Sequence, residues 1–127
     1  MDFRFLSVED VIELHEMQLE SYGGATGLRD QGLLESAVMM AQASFAGEYV
    51  HKDIFEMAAA YAFHIAENQP FVDGNKRTAL ASALVFLDWQ QIEINDPREE
   101  LYNAMIGLAQ KTLDKTGLAA LFLKLSK

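Results

Sequence analysis

At 127 residues, half of them hydrophobic and none of them cysteine, the chain is long enough for one domain to bury a core unaided, which excludes a disulfide scaffold and a thiolate metal site. A formal net charge of -9 argues against non-specific nucleic-acid binding, which draws its affinity from Lys and Arg on phosphates. The opening Met1-Asp2-Phe3-Arg4-Phe5-Leu6 lacks the pattern of a leader and no apolar run reaches the roughly 18 residues of a membrane span, so a soluble, cytoplasmic protein with no membrane partner is expected.

Ser7-Val8-Glu9-Asp10 has the form of a capping box, and Val8, Val11, Ile12, Leu14, His15 and Leu19 follow at helical spacing, so a first helix is expected from about Val8 to Tyr22. Gly23-Gly24 stops it and Ala25 to Arg29 reads as a loop. With no second ligand spaced to match it, His15 is read as a packed or surface histidine. Asp30 caps a second helix that carries Leu33, Leu34, Ala37, Val38 and Ala41 and ends near Gln42 to Ser44; Met39 and Met40 are read as gap-filling core or partner contacts. The helical pattern then breaks, and residues 44–51, rich in aromatics and containing Gly47, read as a short flap.

Asp53 caps a third helix, about Ile54 to Glu67, and a fourth runs from about Asn75 to Gln90 or Gln91; both are nearly apolar all round, as the buried pair of a bundle is. Ile92-Glu93-Ile94 alternates briefly, as a short strand does. Asp96-Pro97-Arg98-Glu99 reads as a helix start with Asp96 capping and Pro97 at the first helical position, giving a fifth helix to about Lys111. Thr116 opens a sixth through Leu118, Leu121, Phe122 and Leu125. The expected fold is all-α: one compact domain, residues 1–127, of about six helices with a flap near 44–51.

Between the two apolar helices lies Pro70-Phe71-Val72-Asp73-Gly74-Asn75-Lys76-Arg77-Thr78. Lys76 and Arg77 fall in the first turn of the fourth helix, where the macrodipole disfavours cations. Two cations beside free backbone N–H groups, with a carboxylate one turn before them, suit a polyphosphate and its Mg²⁺ on the helix end. The competing reading is an ordinary helix start with solvated charges. His64, five residues before Gln69, does not share its helix face and is read as a core or pocket-edge residue.

Gln69-Pro70-Phe71-Val72-Asp73-Gly74-Asn75-Lys76-Arg77-Thr78 resembles the signature of the Fic/Doc family, His-Pro-Phe-x-(Asp/Glu)-Gly-Asn-(Gly/Lys)-Arg, with Gln69 in the place of the His. Lys76 and Leu80 point to the Doc (death on curing) branch, because the adenylyl-transferring Fic branch usually carries a second Arg where Leu80 stands. Tyr22-Gly23-Gly24, Gly27-Leu28-Arg29-Asp30 and Gly32-Leu33-Leu34-Glu35-Ser36-Ala37 are similar to the amino-terminal part of Doc-type proteins.

The resemblance implies a six-helix toxin of a toxin–antitoxin pair. Such a toxin is a kinase that moves the γ-phosphate of ATP, with Mg²⁺, onto a hydroxyl side chain of a translation factor such as elongation factor Tu and so arrests translation. It also implies a flap that aligns the target by strand addition, and a Phd-like antitoxin whose disordered tail folds into a groove. Residue by residue, Asp73 is expected on the metal, the backbone of Gly74 and Asn75 with the Asn75 side chain on phosphate oxygens, and Lys76 and Arg77 on the developing charge, while Phe71 anchors the loop. Gln69 occupies the position of the general base, and an amide has no useful basicity, so activity is expected to be impaired. Gln69 is read in three ways: a substitution that allows a toxic protein to be produced, a degenerate binding-only relative, or a variant chemistry that needs a donor. The alternatives in function are adenylyl transfer of the Fic kind and a catalytically dead module that binds nucleotide or antitoxin.

Overall fold

The computed structural model describes residues 3–126, leaving residues 1, 2 and 127 of the expected domain outside it. Its elements are α1 (Val8–Tyr22), α2 (Gln31–Met40), β1 (Ser44–Phe45), β2 (Glu48–Tyr49), α3 (Ile54–Asn68), α4 (Asn75–Trp89), α5 (Glu100–Ala109) and α6 (Lys115–Leu125). The all-α expectation holds, with six helices among the described residues and one two-stranded hairpin at the expected flap. Among the described residues no helix is long and apolar enough to cross a membrane.

The axis of the bundle is the antiparallel pair α3 and α4, against which the other helices are laid. Many of their buried residues are small: Ala58, Ala59, Ala60 and Ala62 on α3 and Thr78, Ala79, Ser82 and Ala83 on α4. Small side chains let two backbones approach closely, and Ser82 is accommodated by donating to the Thr78 carbonyl at 2.7 Å. The larger volume is supplied around them. Tyr61 and Phe86, both fully buried, pack at 5.3 Å between ring centroids, and Phe5 stacks on Phe86 at 5.8 Å. The Tyr61 hydroxyl accepts from the Leu6 N–H at 2.8 Å, so the one polar atom on that ring is satisfied inside the core.

The same aromatic group fixes the hairpin. Tyr49 meets Phe3 and Phe5 with centroids 5.7 and 5.6 Å away, tying the base of the hairpin to the core. At its other end Ala46 and Gly47 both have positive φ, the requirement of the tight two-residue turn, and Phe45 stands 80% exposed.

Helix boundaries follow capping chemistry. Ser7, Asp30, Asp53 and Asp114 each accept a first-turn N–H from their helices, and Ser7 with Asp10 completes the expected box. α2 stops at Met40, slightly short of the expected end. The start of α5 is a correction. Pro97 is not its first residue; Asp96 to Glu99 form a turn, closed by the Glu99 N–H on the Asp96 carbonyl, with Glu99 in the left-handed region. The reason is the segment before it: Asn95 N–H is held by the Leu125 carbonyl and Ile94 bridges Ser126, so the chain coming from α4 is held extended beside the end of α6 and must turn before it can wind. The Asp96 carboxylate still caps the helix, across that turn, by accepting the N–H of Glu100 and Leu101 at 2.8 and 2.9 Å. The far end of α5 is Ala109, not Lys111, because Lys111 is left-handed and the Gly107 carbonyl takes the N–H of Thr112 and Leu113.

His64 lies at the α3/α6 seam, where its Nε2 accepts from the Lys115 ammonium at 3.1 Å. Burial, then the charge of Lys115 and the neighbouring His51, lower its pKa to about 4, and burial lowers that of His51 as well. The folded chain therefore keeps His64 neutral while the unfolded chain protonates it near pH 6.5. The contribution is complete above about pH 6.5 and lost as the pH falls toward 4. In urea unfolding at pH 7 and pH 5, His64→Gln is expected to lose less stability between the two pH values than the native chain does. Equal losses would place the acid sensitivity elsewhere.

Candidate functional site

α3 ends at Asn68, and the next residue, Gln69, is left-handed with φ 46 and ψ 57, its N–H bonded to the Ile65 carbonyl at 3.1 Å. That is the αL way of closing a helix, here with a side-chain-bearing residue where glycine is usual. The chain then runs through Pro70 and Phe71, both buried, and re-enters a helix at Gly74, whose φ of 77 only glycine adopts without cost.

Asn75 and α1 both hold the turn. The Asn75 side chain closes a ring on Phe71, its Oδ1 accepting the Phe71 N–H at 3.0 Å and its Nδ2 donating to the Phe71 carbonyl at 2.9 Å. This side chain, expected on phosphate oxygens, is thus also committed to the loop, with one N–H of its Nδ2 left over beside the Asn75 backbone N–H. On α1, His15, buried, stacks flat on Phe71 at 3.8 Å and its Nε2 donates to the Asp73 carbonyl at 2.7 Å. The reading of His15 as a packed histidine holds, and what it packs is the motif itself.

Asp73 is exposed. Each of its carboxylate oxygens accepts one backbone N–H, Ala25 at 3.1 Å and Gly74 at 2.9 Å. Those two bonds, with smaller help from Arg77 and His15, hold its pKa below the usual carboxylate value, so it is ionised and retains lone pairs for a further partner.

The start of α4 differs from the other helix starts among the described residues. α1, α2, α3 and α6 have a side-chain cap and α5 has Asp96, but α4 has none, so its first backbone N–H groups point outward without a protein acceptor. They open into a cleft of about 660 Å³ lined on one side by Gln69 and Asp73 to Arg77, and on the other by Phe63, Tyr102, Leu108 and Lys111. Lys76 and Arg77 are both exposed there, the Arg77 guanidinium resting 4.8 Å above the Tyr22 ring. Every expected site residue (Gln69, Asp73, Gly74, Asn75, Lys76 and Arg77) therefore lines one cavity. A dipole end, free donors and two cations are features that suit an anion; the lining also brings Glu67 and Lys111 beside the apolar Phe63, Ala66 and Leu108.

Sequence reasoning missed Arg29. Its Nε and Nη2 donate to the carbonyls of Gln69 and Asn68 at 2.7 and 2.8 Å. The N–H groups of Arg29 and Asp30 reach the Pro70 carbonyl, Leu28 bridges Phe71, and the Val72 N–H bonds to the Gly27 carbonyl. The 24–30 loop is therefore laid against the turn, a long-range pairing with no local signature. Tyr102, Leu108 and Lys111 also went unnoticed, because they reach the cleft from α5 and the turn after it.

Known proteins resemble the chain over most of its length. Residues 5–87 match the model of the Fic/DOC family. The chain belongs to the Fic/DOC family. It is 36% identical over 116 residues to a protein named protein kinase doc from Escherichia phage P1, covering 91% of this chain and 90% of that protein. To a protein named toxin Doc from Mycolicibacterium smegmatis it is 34% identical over 121 residues, covering 91% and 88%. In this Fic/DOC chain the turn and the loop that holds it fall inside the matched residues, whereas the wall formed by Tyr102, Leu108 and Lys111 lies beyond them.

Proposed function

We propose that the chain is the toxin of a toxin–antitoxin pair, a Doc-type kinase that transfers the γ-phosphoryl group of ATP to a hydroxyl side chain of a translation factor of the elongation factor Tu kind. The observation that carries this reading is the uncapped start of α4, opening with Lys76 and Arg77 into the cleft that also holds Asp73. Phosphoryl transfer asks a protein mainly for positioning and charge neutralisation. The outward N–H groups of the first α4 turn take phosphate oxygens, and Lys76 and Arg77 balance the charge that moves to the leaving diphosphate. Phe63, Leu108 and Tyr102 offer the base and sugar an apolar wall.

Asp73 is the residue that would hold Mg²⁺. Among the described residues no cluster of three metal-ligating side chains exists, which fits an ion that takes one protein carboxylate and completes its shell with phosphate and water. When bound, the ion supplies charge neutralisation between phosphates. The acceptor hydroxyl then bonds to the γ-phosphorus, the bond from that phosphorus to the bridging oxygen breaks, and the hydroxyl proton passes to solvent water. Gln69 cannot take it, which makes this chain an impaired kinase.

The partner surfaces follow. The hairpin, with Phe45 outward, is the edge for the target peptide. A second hollow of about 450 Å³ between α4 and the α5 entry has an apolar floor of Leu80, Leu84, Ile92 and Leu101, and Asp88, Glu93 and Glu99 around it. It suits the folded tail of a Phd-like antitoxin whose apolar face is flanked by basic residues. Gln69 itself favours a second reading, a binding module that has kept the nucleotide and antitoxin sites and lost the reaction.

The test incubates bacterial lysate with the chain and with Gln69→His, using ATP labelled at the γ or at the α phosphate. Label from the γ position alone is expected. Label from the α position would move the protein to adenylyl transfer, and no label in any arm would leave the binding module.

A further inference from the structure

The Arg29 clamp does more than close a helix end. Arg29 is exposed, and hydrogen bonds at exposed sites contribute little net stability. What they fix is geometric. Gln69 is held left-handed, a conformation that a residue with a Cβ leaves readily, and its carbonyl and that of Asn68 both point into one guanidinium fork. The backbone of Arg29 and that of Asp30 seize the next carbonyl, on Pro70, and the Asn68 side chain is fastened to the Leu33 carbonyl at 3.0 Å. Three successive peptide units, 68 to 70, are thereby bound to the loop before α2, and residue 69 lines the cleft.

We infer that Arg29 is a positioning residue for position 69: it sets the peptide plane from which that side chain meets the acceptor hydroxyl. This rests on the reading of the cleft as a phosphoryl-transfer site. Arg29 touches neither nucleotide nor target. Its loss should therefore act on the chemical step and leave nucleotide binding alone, since the donors of α4 are held separately by Asn75 and His15.

The experiment is done in the Gln69→His background, with γ-labelled ATP and bacterial lysate. Adding Arg29→Ala is expected to lower kcat roughly 10- to 100-fold, the cost of a misplaced reacting group, with the KM for ATP within about twofold. Arg29→Lys should recover part of the loss, because one donor can still reach the carbonyls, and free guanidinium should recover part of it in Arg29→Ala. A fall in kcat that guanidinium does not relieve and that follows the fraction unfolded, or no fall at all, overturns the inference. A second measurement is independent of activity. The NMR titration of the imidazole introduced at position 69 should change when Arg29→Ala is added, with the folded spectrum otherwise preserved; an unchanged titration overturns the inference. Should Gln69→His transfer no phosphate with Arg29 intact, the kinase reading fails, and the titration still decides whether Arg29 orients position 69.

Discussion

Gln69→His is expected to raise γ-phosphoryl transfer by roughly 10²–10⁴-fold, the usual worth of a positioned general base. Only one side chain changes. The turn that presents it is already formed: the Gln69 N–H is bonded to the Ile65 carbonyl, its own carbonyl is clamped by Arg29, and its side chain lines the same cleft as the α4 donors. An imidazole placed there inherits that orientation and adds basicity near neutral pH, which the amide lacks. Three consequences separate this from a general improvement in folding. The nucleotide affinity, measured by calorimetry on both proteins, should agree within about twofold, because the phosphate donors are untouched. The rate of the variant should rise with pH through the imidazole range, while any residual rate of the native chain should show no such limb. The gain should vanish when Asp73 or Arg77 is also replaced. A variant that binds ATP as tightly as the native chain and gains no rate would identify a protein whose cleft serves binding alone.

The order and type of the helices were legible because their signals are local. Ser7, Asp30 and Asp53 announce helix starts, Gly23 and Gly24 announce a stop, and the apolar runs of α3 and α4 announce the central pair, although α4 is buried on one face only and keeps Leu80, Leu84 and Val85 partly exposed. The start of α5 was misread for a reason that is not local. Asp96 and Pro97 carry a strong start signal, but the extended pairing of Ile94 with Ser126 fixes the chain direction before them and delays the helix to Glu100. The site shows the same division. Asp73, Gly74, Lys76 and Arg77 could be picked out because cations at a helix start contradict the dipole. Arg29 and His15 could not be, because each acts across more than 35 residues on a backbone carbonyl, Gln69 for the first and Asp73 for the second. The role of Asn75 also escaped: the sequence shows an amide beside an anion site, and only the distances show that the amide is already bound to Phe71.

The ring that Asn75 closes on Phe71 carries the second large effect. Asn75→Ala removes an acceptor from the Phe71 N–H and a donor from the Phe71 carbonyl at once, and Phe71 is buried, so neither group is easily reached by water. Leaving two such groups unpaired should cost about 2–3 kcal/mol, and unfolding in urea should show it as a lower midpoint with an unchanged slope. The same change should weaken ATP binding at least tenfold, an effect larger than the loss of one phosphate contact, because the turn that aims the first α4 donors is opened. Asn75→Asp separates the two bonds. Its carboxylate still accepts the Phe71 N–H but sets a second anionic oxygen against the Phe71 carbonyl, so at pH 7 the variant should resemble Asn75→Ala. Protonation lets the acid donate to that carbonyl, and its stability relative to the native chain should therefore improve as the pH falls toward 4. If Asn75→Ala kept its midpoint and its nucleotide affinity, the loop would owe its shape to the other contacts on it, the His15 bond to the Asp73 carbonyl and the Ala25 bond to the Asp73 carboxylate. The Asn75 ring would then be a consequence of the turn rather than its cause.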